Sequence, residues 1–270
     1  SMLIKSSIAS DTTWTSTNDV VVIASNVTVF AGTRLTVGPG VAVLLEPGKT
    51  LTVEGTLDVE ATAEQPATFM PRSGGSDWVI QLSGANASMT ASNANFGGGR
   101  IAVSGGGSLK LHNSVVAPSQ HTDGIISSTA GGDVHLWRTI VRDFKKTRFE
   151  SSPTLIEECL FETIVTSGIE FVGSASTSIV RRTTLRHSNG SALGVLFDAT
   201  TAGLADVAVA AYWDGKRIVG TYLRDGGRLD EAFDFDENAW ENWHDDFVGW
   251  LATPSFTQRD ELRASLAGAG

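Results

Sequence analysis

Between Met89 and Val209 the chain repeats itself at a period of about two dozen residues. Phe96, Val116, Val141, Phe161, Leu185 and Val209 form one column, at spacings of 20, 25, 20, 24 and 24. Five positions upstream run Ala91, Leu111, Leu136, Ile156, Val180 and Leu204, and between the two lie the smaller Ala94, Ser114, Thr139, Cys159, Thr183 and Val207. After a loop each line resumes with a second apolar stretch: Ile101-Ala102-Val103, Ile125-Ile126, Phe149, Ile169-Glu170-Phe171-Val172 and Leu193-Gly194-Val195-Leu196-Phe197. The stretches are short, alternate apolar with polar, and are punctuated by Gly, Asn and Ser, while no 3.6-residue period links the columns. One such line cannot bury its own apolar side. Stacked as parallel strands about 4.8 Å apart, many lines bury a continuous core and pair every backbone. The expected fold is all-β, a parallel β-helix.

Charge supports the register. Positions 93, 113, 138, 158, 182 and 206 read Asn, Asn, Arg, Glu, Arg and Asp, and positions 142, 162 and 186 read Arg, Glu and Arg. Stacking sets Arg138 by Glu158 by Arg182 and Arg142 by Glu162 by Arg186, so unlike charges alternate along two ladders. Read as pairs on a solvated face, they contribute under about 1 kcal/mol each.

Composition narrows the function classes. With 19% charged residues, 29 Gly and a net charge of -10, the chain suits a turn-rich β protein and lacks the basic face that nucleic acid requires. The acidity gathers late: residues 201–270 carry 6 Lys+Arg against 13 Asp+Glu. The single cysteine, Cys159, excludes an internal disulfide and a Cys-based zinc site, and its inward column marks it as a small core residue. No apolar run is long enough to span a bilayer. Ser1-Met2 has the look of a cloning remnant, so the lack of a leader peptide says nothing about location.

Residues 1–19 are polar apart from Trp14 and are expected to cover the first coil, since an open β-helix end exposes core and unpaired backbone. From 20 to 70 a tighter repeat is read. Leu35-Thr36-Val37 recurs 16 residues later as Leu51-Thr52-Val53, and Val41-Ala42-Val43 as Leu57-Asp58-Val59, with Gly38-Pro39-Gly40, Pro47-Gly48 and Gly55 at the turns. Thr28, Thr36 and Thr52 suggest a threonine column, the kind of array that orders water at ice, but later coils carry Arg and Glu instead.

The stretch GTRLTVGPGVAVLLEPGKTLTVEGTLDVEATAEQPATF, with Trp14 before it and Trp78 after it, resembles the opening coils of right-handed parallel β-helix repeat proteins. The resemblance is good over residues 14–80 and looser to about residue 223. It implies a secreted or bacterial cell-surface protein. It does not choose a function, because the same scaffold serves adhesins, polysaccharide lyases, hydrolases and phage tailspikes.

Five segments read as lengthened loops on one edge of the stack: 117–124, 142–148, 162–168, 186–192 and 210–217. They collect His121, Asp123, Asp143, Lys145, Lys146, Arg148, Arg186, His187, Asn189, Tyr212, Trp213, Asp214 and Lys216. Cations and imidazoles beside an aromatic pair suit an anionic or neutral glycan, with Trp213 as a stacking face. In lyases of the resembled fold, Lys or Arg abstracts a proton beside a uronate carboxylate. Here Lys145, Lys146, Arg148 and Arg186 would supply charge and His121 or His187 acid–base chemistry. Asp123 and Asp143 on neighbouring coils are the carboxylate pair that a hydrolase would need. No cofactor is implied, and these loops hold no carboxylate cluster for calcium.

Beyond residue 223 the pattern changes. Phe235, Ala239, Trp240, Trp243, Phe247, Trp250 and Leu251 fall at helical spacing, with Asp236 as an N-cap and Thr253-Pro254 past the end. The expected role for 224–270 is a helical cap over the last coil, or a contact for a protein partner through Trp240, Trp243 and Trp250. Asp234, Asp236, Asn238 and Asp245 imitate a calcium loop, but Ala239 occupies the place where such loops need glycine. The domain reading is thus a cap at 1–19, a β-helix at 20–223 and a helical segment at 224–270. The functional expectation is a non-catalytic glycan-binding or adhesion module. A lyase or hydrolase at the same edge and a structural spacer are the alternatives.

Overall fold

The computed structural model describes residues 1–16, 20–74, 77–118, 124–129, 131–150, 153–172, 178–187, 203–213 and 217–223; in the strands beyond Glu170 the description is mostly of backbone. The chain winds as a parallel β-solenoid. Among the described residues, 23 strands join one continuous hydrogen-bonded system, and successive coils lay three parallel ladders around a shared core. The first face stacks Met2–Ile4, Val20–Ile23, Ala42–Leu45, Ala67–Pro71, Ala94–Phe96 and Val115–Val116. The second stacks Val27–Val29, Thr50–Val53, Trp78–Ser83, Gly99–Ser104 and Ile126–Ser128. The third stacks Thr12–Trp14, Arg34–Val37, Thr56–Glu60, Ser88–Ser92, Ser108–His112, Asp133–Trp137 and Thr154–Glu157.

The register follows the columns read from the sequence. Phe96, Val116, Val141, Phe161, Leu185 and Val209 pair in that order along the first face, as do Ala91, Leu111, Leu136, Ile156, Val180 and Leu204 along the third. Alternation sends every second side chain of most strands inward. Leu51, Leu57, Phe69, Ile80, Leu111 and Phe161 are wholly buried in one apolar cluster that runs along the stack. The smaller column closes the corner between the third and first faces. Ser114 Oγ donates to His112 O at 2.8 Å, Thr139 Oγ1 to Trp137 O at 3.2 Å, and Cys159 Sγ to Glu157 O at 3.1 Å. Each adds a second hydrogen bond to a carbonyl that already accepts the backbone N–H of Asn93, Asn113 or Arg138 across the coils.

The residue just before that column makes the turn. Asn93, Asn113, Arg138 and Glu158 have φ of 54°, 48°, 48° and 52°, the left-handed region in which Asn is well tolerated. The column read as a charge ladder is therefore also a backbone corner. The first pair of each expected ladder forms: Arg138 Nε lies 2.8 Å from Glu158 Oε2 in this column, and Arg142 Nη1 lies 3.7 Å from Glu162 Oε1 in the other. Glu158 is nearly buried, so the face there is less solvated than the sequence suggests.

Three expectations change. Residues 1–19 do more than cover a coil: Met2–Ile4 and Thr12–Trp14 are themselves strands, paired with Val20–Ile23 and Arg34–Val37. The 16-residue repeat is not a coil. Val27 pairs with Leu51, 24 residues on, and Leu35 with Leu57, 22 on, so the two Leu-Thr-Val triplets sit on different faces. Both triplets have the same in–out–in pattern, and that pattern cannot say which face a strand occupies. For the same reason Thr28 and Thr52 stack, whereas Thr36 lies between Thr13 and Asp58 on another ladder. Finally, 142–148 and 162–168 are not loops but parts of the strands Ile140–Glu150 and Leu160–Val172. These bend from the first face to the second through positive φ at Asp143 and Thr163. Likewise Arg186 and His187 end the strand Ile179–His187, and 210–217 holds the join between Gly203–Trp213 and its antiparallel partner Arg217–Leu223. The expected helical segment at 224–270 and the calcium-like run within it lie outside the described residues.

Candidate functional site

The bend at Asp143 carries the rest of the strand Ile140–Glu150 onto the second face. There Phe144, Thr147 and Phe149 are buried, while Lys146 and Arg148 stay only partly covered. Register then builds a surface column from five successive coils: Gln81 pairs with Ala102, Ala102 with Ser127, Ser127 with Arg148, and Arg148 with Glu170. Two positions on, Ser83 pairs with Ser104. Arg100, Lys146 and Arg148 thus meet Gln81, Ser104 and Ser127 around a shallow groove of about 390 Å³.

Lys146 and Arg148 are held by carboxylates at its edge. Arg148 Nη1 is 3.3 Å from Glu170 Oε1, Arg148 Nη2 is 3.7 Å from Glu150 Oε2, and Lys146 Nζ is 3.7 Å from Glu170 Oε2. Contacts longer than about 3.5 Å are ion pairs rather than directed hydrogen bonds, so donor capacity remains for a ligand. Gln81 Nε2 donates to Leu82 O at 2.9 Å and Ser104 Oγ at 3.1 Å, which fixes its amide along the wall. Arginine, lysine, an oriented amide and hydroxyls on a rigid sheet suit carboxylate or sulfate groups on a polyhydroxylated chain.

Of the residues singled out from the sequence, the groove gathers Lys146 and Arg148. Asp143 is exposed at the preceding bend, and Lys145 follows it without lining the groove. Arg186 and His187 continue the first-face ladder beside Glu162 and Ile164. Tyr212 and Trp213 pair with Ile218 and Arg217 at the end of the antiparallel hairpin. His121, Asp123, Asn189 and Asp214 lie outside the described residues. Gln81, Arg100, Ser104 and Ser127 were not anticipated. Arg100, Ser104 and Ser127 are the outward neighbours of Ile101, Val103 and Ile126, and following those columns one residue to either side would have found them; Gln81 follows Ile80, one coil before the columns begin.

The third face holds a second unanticipated group. His112 and His135 have ring centroids 5.5 Å apart, and His112 meets Trp137 edge-on at 5.6 Å. The Arg138 guanidinium sits 4.5 Å over the Trp137 ring. His135 Nε2 lies 3.3 Å from Glu157 Oε2 without the geometry of a hydrogen bond, so the contact is an ion pair when the imidazole is protonated. Burial, then the neighbouring His135 and Lys110, hold the His112 imidazole below its ordinary pKa. Cys159 is fully buried, and burial pushes its thiol up to about 12, which suits its structural place.

Among the described residues, no group of three or more His, Cys, Asp or Glu is placed to hold a metal ion, and no helix is long and apolar enough to cross a membrane. Comparison of the chain with family models, curated proteins and solved structures finds no match. What the findings define is a class by architecture, a parallel β-solenoid.

Proposed function

We propose that this chain is an extracellular β-solenoid module that binds an acidic polysaccharide through the second-face groove, for adhesion or surface attachment and without cleaving it. The observation that carries the reading is the meeting of Lys146, Arg148 and Arg100 with Gln81, Ser104 and Ser127 from four coils on one side of a rigid stack. Coils repeat about every 4.8 Å, comparable with the length of one pyranose residue, so a glycan laid along the axis meets a new polar row at each sugar. Carboxylate or sulfate groups on it would compete with Glu150 and Glu170 for the same guanidinium and ammonium. The expected location outside the cell rests on the resemblance of residues 14–80 to secreted and surface β-helix proteins.

Titration calorimetry with polygalacturonate, heparin and a neutral glucan, run beside product analysis, tests the reading. Binding of an acidic polymer that weakens about tenfold or more in Lys146→Ala and Arg148→Ala supports it, since charged hydrogen bonds are worth about 1.5–3 kcal/mol each. Cleavage products would replace the binding module with a lyase or hydrolase. No binding to any polymer would leave a structural spacer.

A further inference from the structure

The second-face groove is unevenly charged along the solenoid axis, and register fixes where the charges stand. Its first row holds Gln81, on the strand Trp78–Ser83, and its second holds Arg100 and Ser104, on Gly99–Ser104. The third row holds Ser127, on Ile126–Ser128, and the fourth Lys146 and Arg148, on Ile140–Glu150. Rows lie about 4.8 Å apart, so the two cationic rows are separated by two steps, about 9.6 Å. The strand between them, Ile126–Ser128, carries no charged residue. Beyond the fourth row the sign reverses. Glu170 follows Arg148 on the next coil, and Glu150 flanks Arg148 on its own strand.

A linear glycan laid along the axis advances about one pyranose per row. With an acidic group facing the sheet on every sugar, it would place an anion over the uncharged Ser127 row, partly desolvated and without a cation. It would place another against Glu170, where like charges repel. With an acidic group on every second sugar, its anions meet only the rows of Arg100 and of Lys146 and Arg148. Its neutral sugars then set hydroxyls on Gln81 and Ser127. Resting on the reading of this groove as an acidic-polysaccharide site, we propose that it selects a glycan with one anionic group per disaccharide over one with an anionic group on every sugar. The preference runs against total charge, because a diffuse patch of cations favours the more highly charged chain.

Titration calorimetry of the full chain compares two probes of equal length: a hyaluronan octasaccharide, with a carboxylate on every second sugar, and octagalacturonate, with one on each. Hyaluronan should bind at least about fivefold tighter. Arg100→Gln and Arg148→Gln should each weaken it about tenfold, since one ligand touches both cationic rows. Ser127 is half-buried on the outward column, and Ser127→Lys, which fills the uncharged row, should reverse the order of the two probes with the β circular-dichroism signal retained. Octagalacturonate binding as tightly as hyaluronan or tighter in the unsubstituted chain would overturn the charge-spacing proposal and leave the acidic-polysaccharide reading standing. A preference that survives Ser127→Lys, or hyaluronan binding unchanged in Arg100→Gln, would overturn it too, by assigning the discrimination to something other than the spacing of the rows. Failure of both probes to bind would overturn both readings together.

Discussion

Gly99 pairs with Trp78 on the second face, and the indole lies across its backbone. A Cβ at Gly99 would stand 2.2, 2.3 and 2.5 Å from Trp78 Cδ2, Cε2 and Cε3. Carbon atoms pack at about 3.5–4.0 Å, so the ring would have to retreat by more than about 1 Å. It has nowhere to go: Trp78 is wholly buried, and its Nε1 donates to Gly97 O at 3.0 Å. Overpacking of this kind costs about 1–3 kcal/mol, and an indole N–H left unpaired in the core about 1–3 kcal/mol more. Gly99→Ala should therefore destabilise the protein by about 3–5 kcal/mol, read as a fall in the urea midpoint at unchanged slope. The cause is steric, so it should vanish when the ring is removed. In a Trp78→Leu background, itself destabilised, Gly99→Ala should add under about 0.5 kcal/mol. A Gly99→Ala protein within about 0.5 kcal/mol of wild type, or two substitutions that simply add, would refute the argument.

Other substitutions test other parts of the stack. Ser128 Oγ is buried in an inward column with no hydrogen-bond partner among the described residues, so Ser128→Ala should raise stability by about 1 kcal/mol in the same urea experiment. His112 is held below its ordinary value of 6.5, so as pH falls the unfolded chain takes up the proton first. Its stability contribution is complete above that value and is lost as pH drops through it toward the folded value, and His112→Gln should flatten the fall in urea midpoint between about pH 7.5 and pH 5. A double-mutant cycle should give Arg138–Glu158, at 2.8 Å with a nearly buried carboxylate, a coupling of about 1 kcal/mol, and Arg142–Glu162, at 3.7 Å, less than about 0.5 kcal/mol. With its thiol raised to about 12, Cys159 should resist iodoacetamide in the native protein and react at once in urea.

The coil register was legible because it is written in chemistry that repeats. A buried Phe96 can stand only over another apolar residue, and Arg138 over Glu158 avoids a like-charge neighbour. Two kinds of information were not written that way. Which face a strand occupies is set by where the chain bends, and Leu35-Thr36-Val37 looks the same as Leu51-Thr52-Val53 whichever side it lines. The bends had a signal, since Asn93 and Asn113 are residues that accept positive φ, but Arg138 and Glu158 in the same column masked it as electrostatics. The polar run RDFKKTR was read as a loop because Phe144 is its lone apolar side chain. In fact Thr147 also turns inward and the strand continues. That continuity put Lys146 and Arg148 on the sheet itself, beside Gln81 and Arg100, and made a groove where an edge of loops was expected.

The corner at Asn93, Asn113, Arg138 and Glu158 has a consequence for how this chain tolerates change in length. Each corner is built from one left-handed residue and one small inward residue, with no slack between the strands it joins. Adding or deleting a single residue there would send every side chain of the next strand to the wrong side of the sheet. The join from the first face to the second is elastic by contrast: it spans two residues after Phe96 and nine after Val116. Insertions such as epitope tags or grafted loops should therefore be accepted at that join where it is a loop, as after Val116, and rejected one corner earlier and along the continuous strands Ile140–Glu150 and Leu160–Val172.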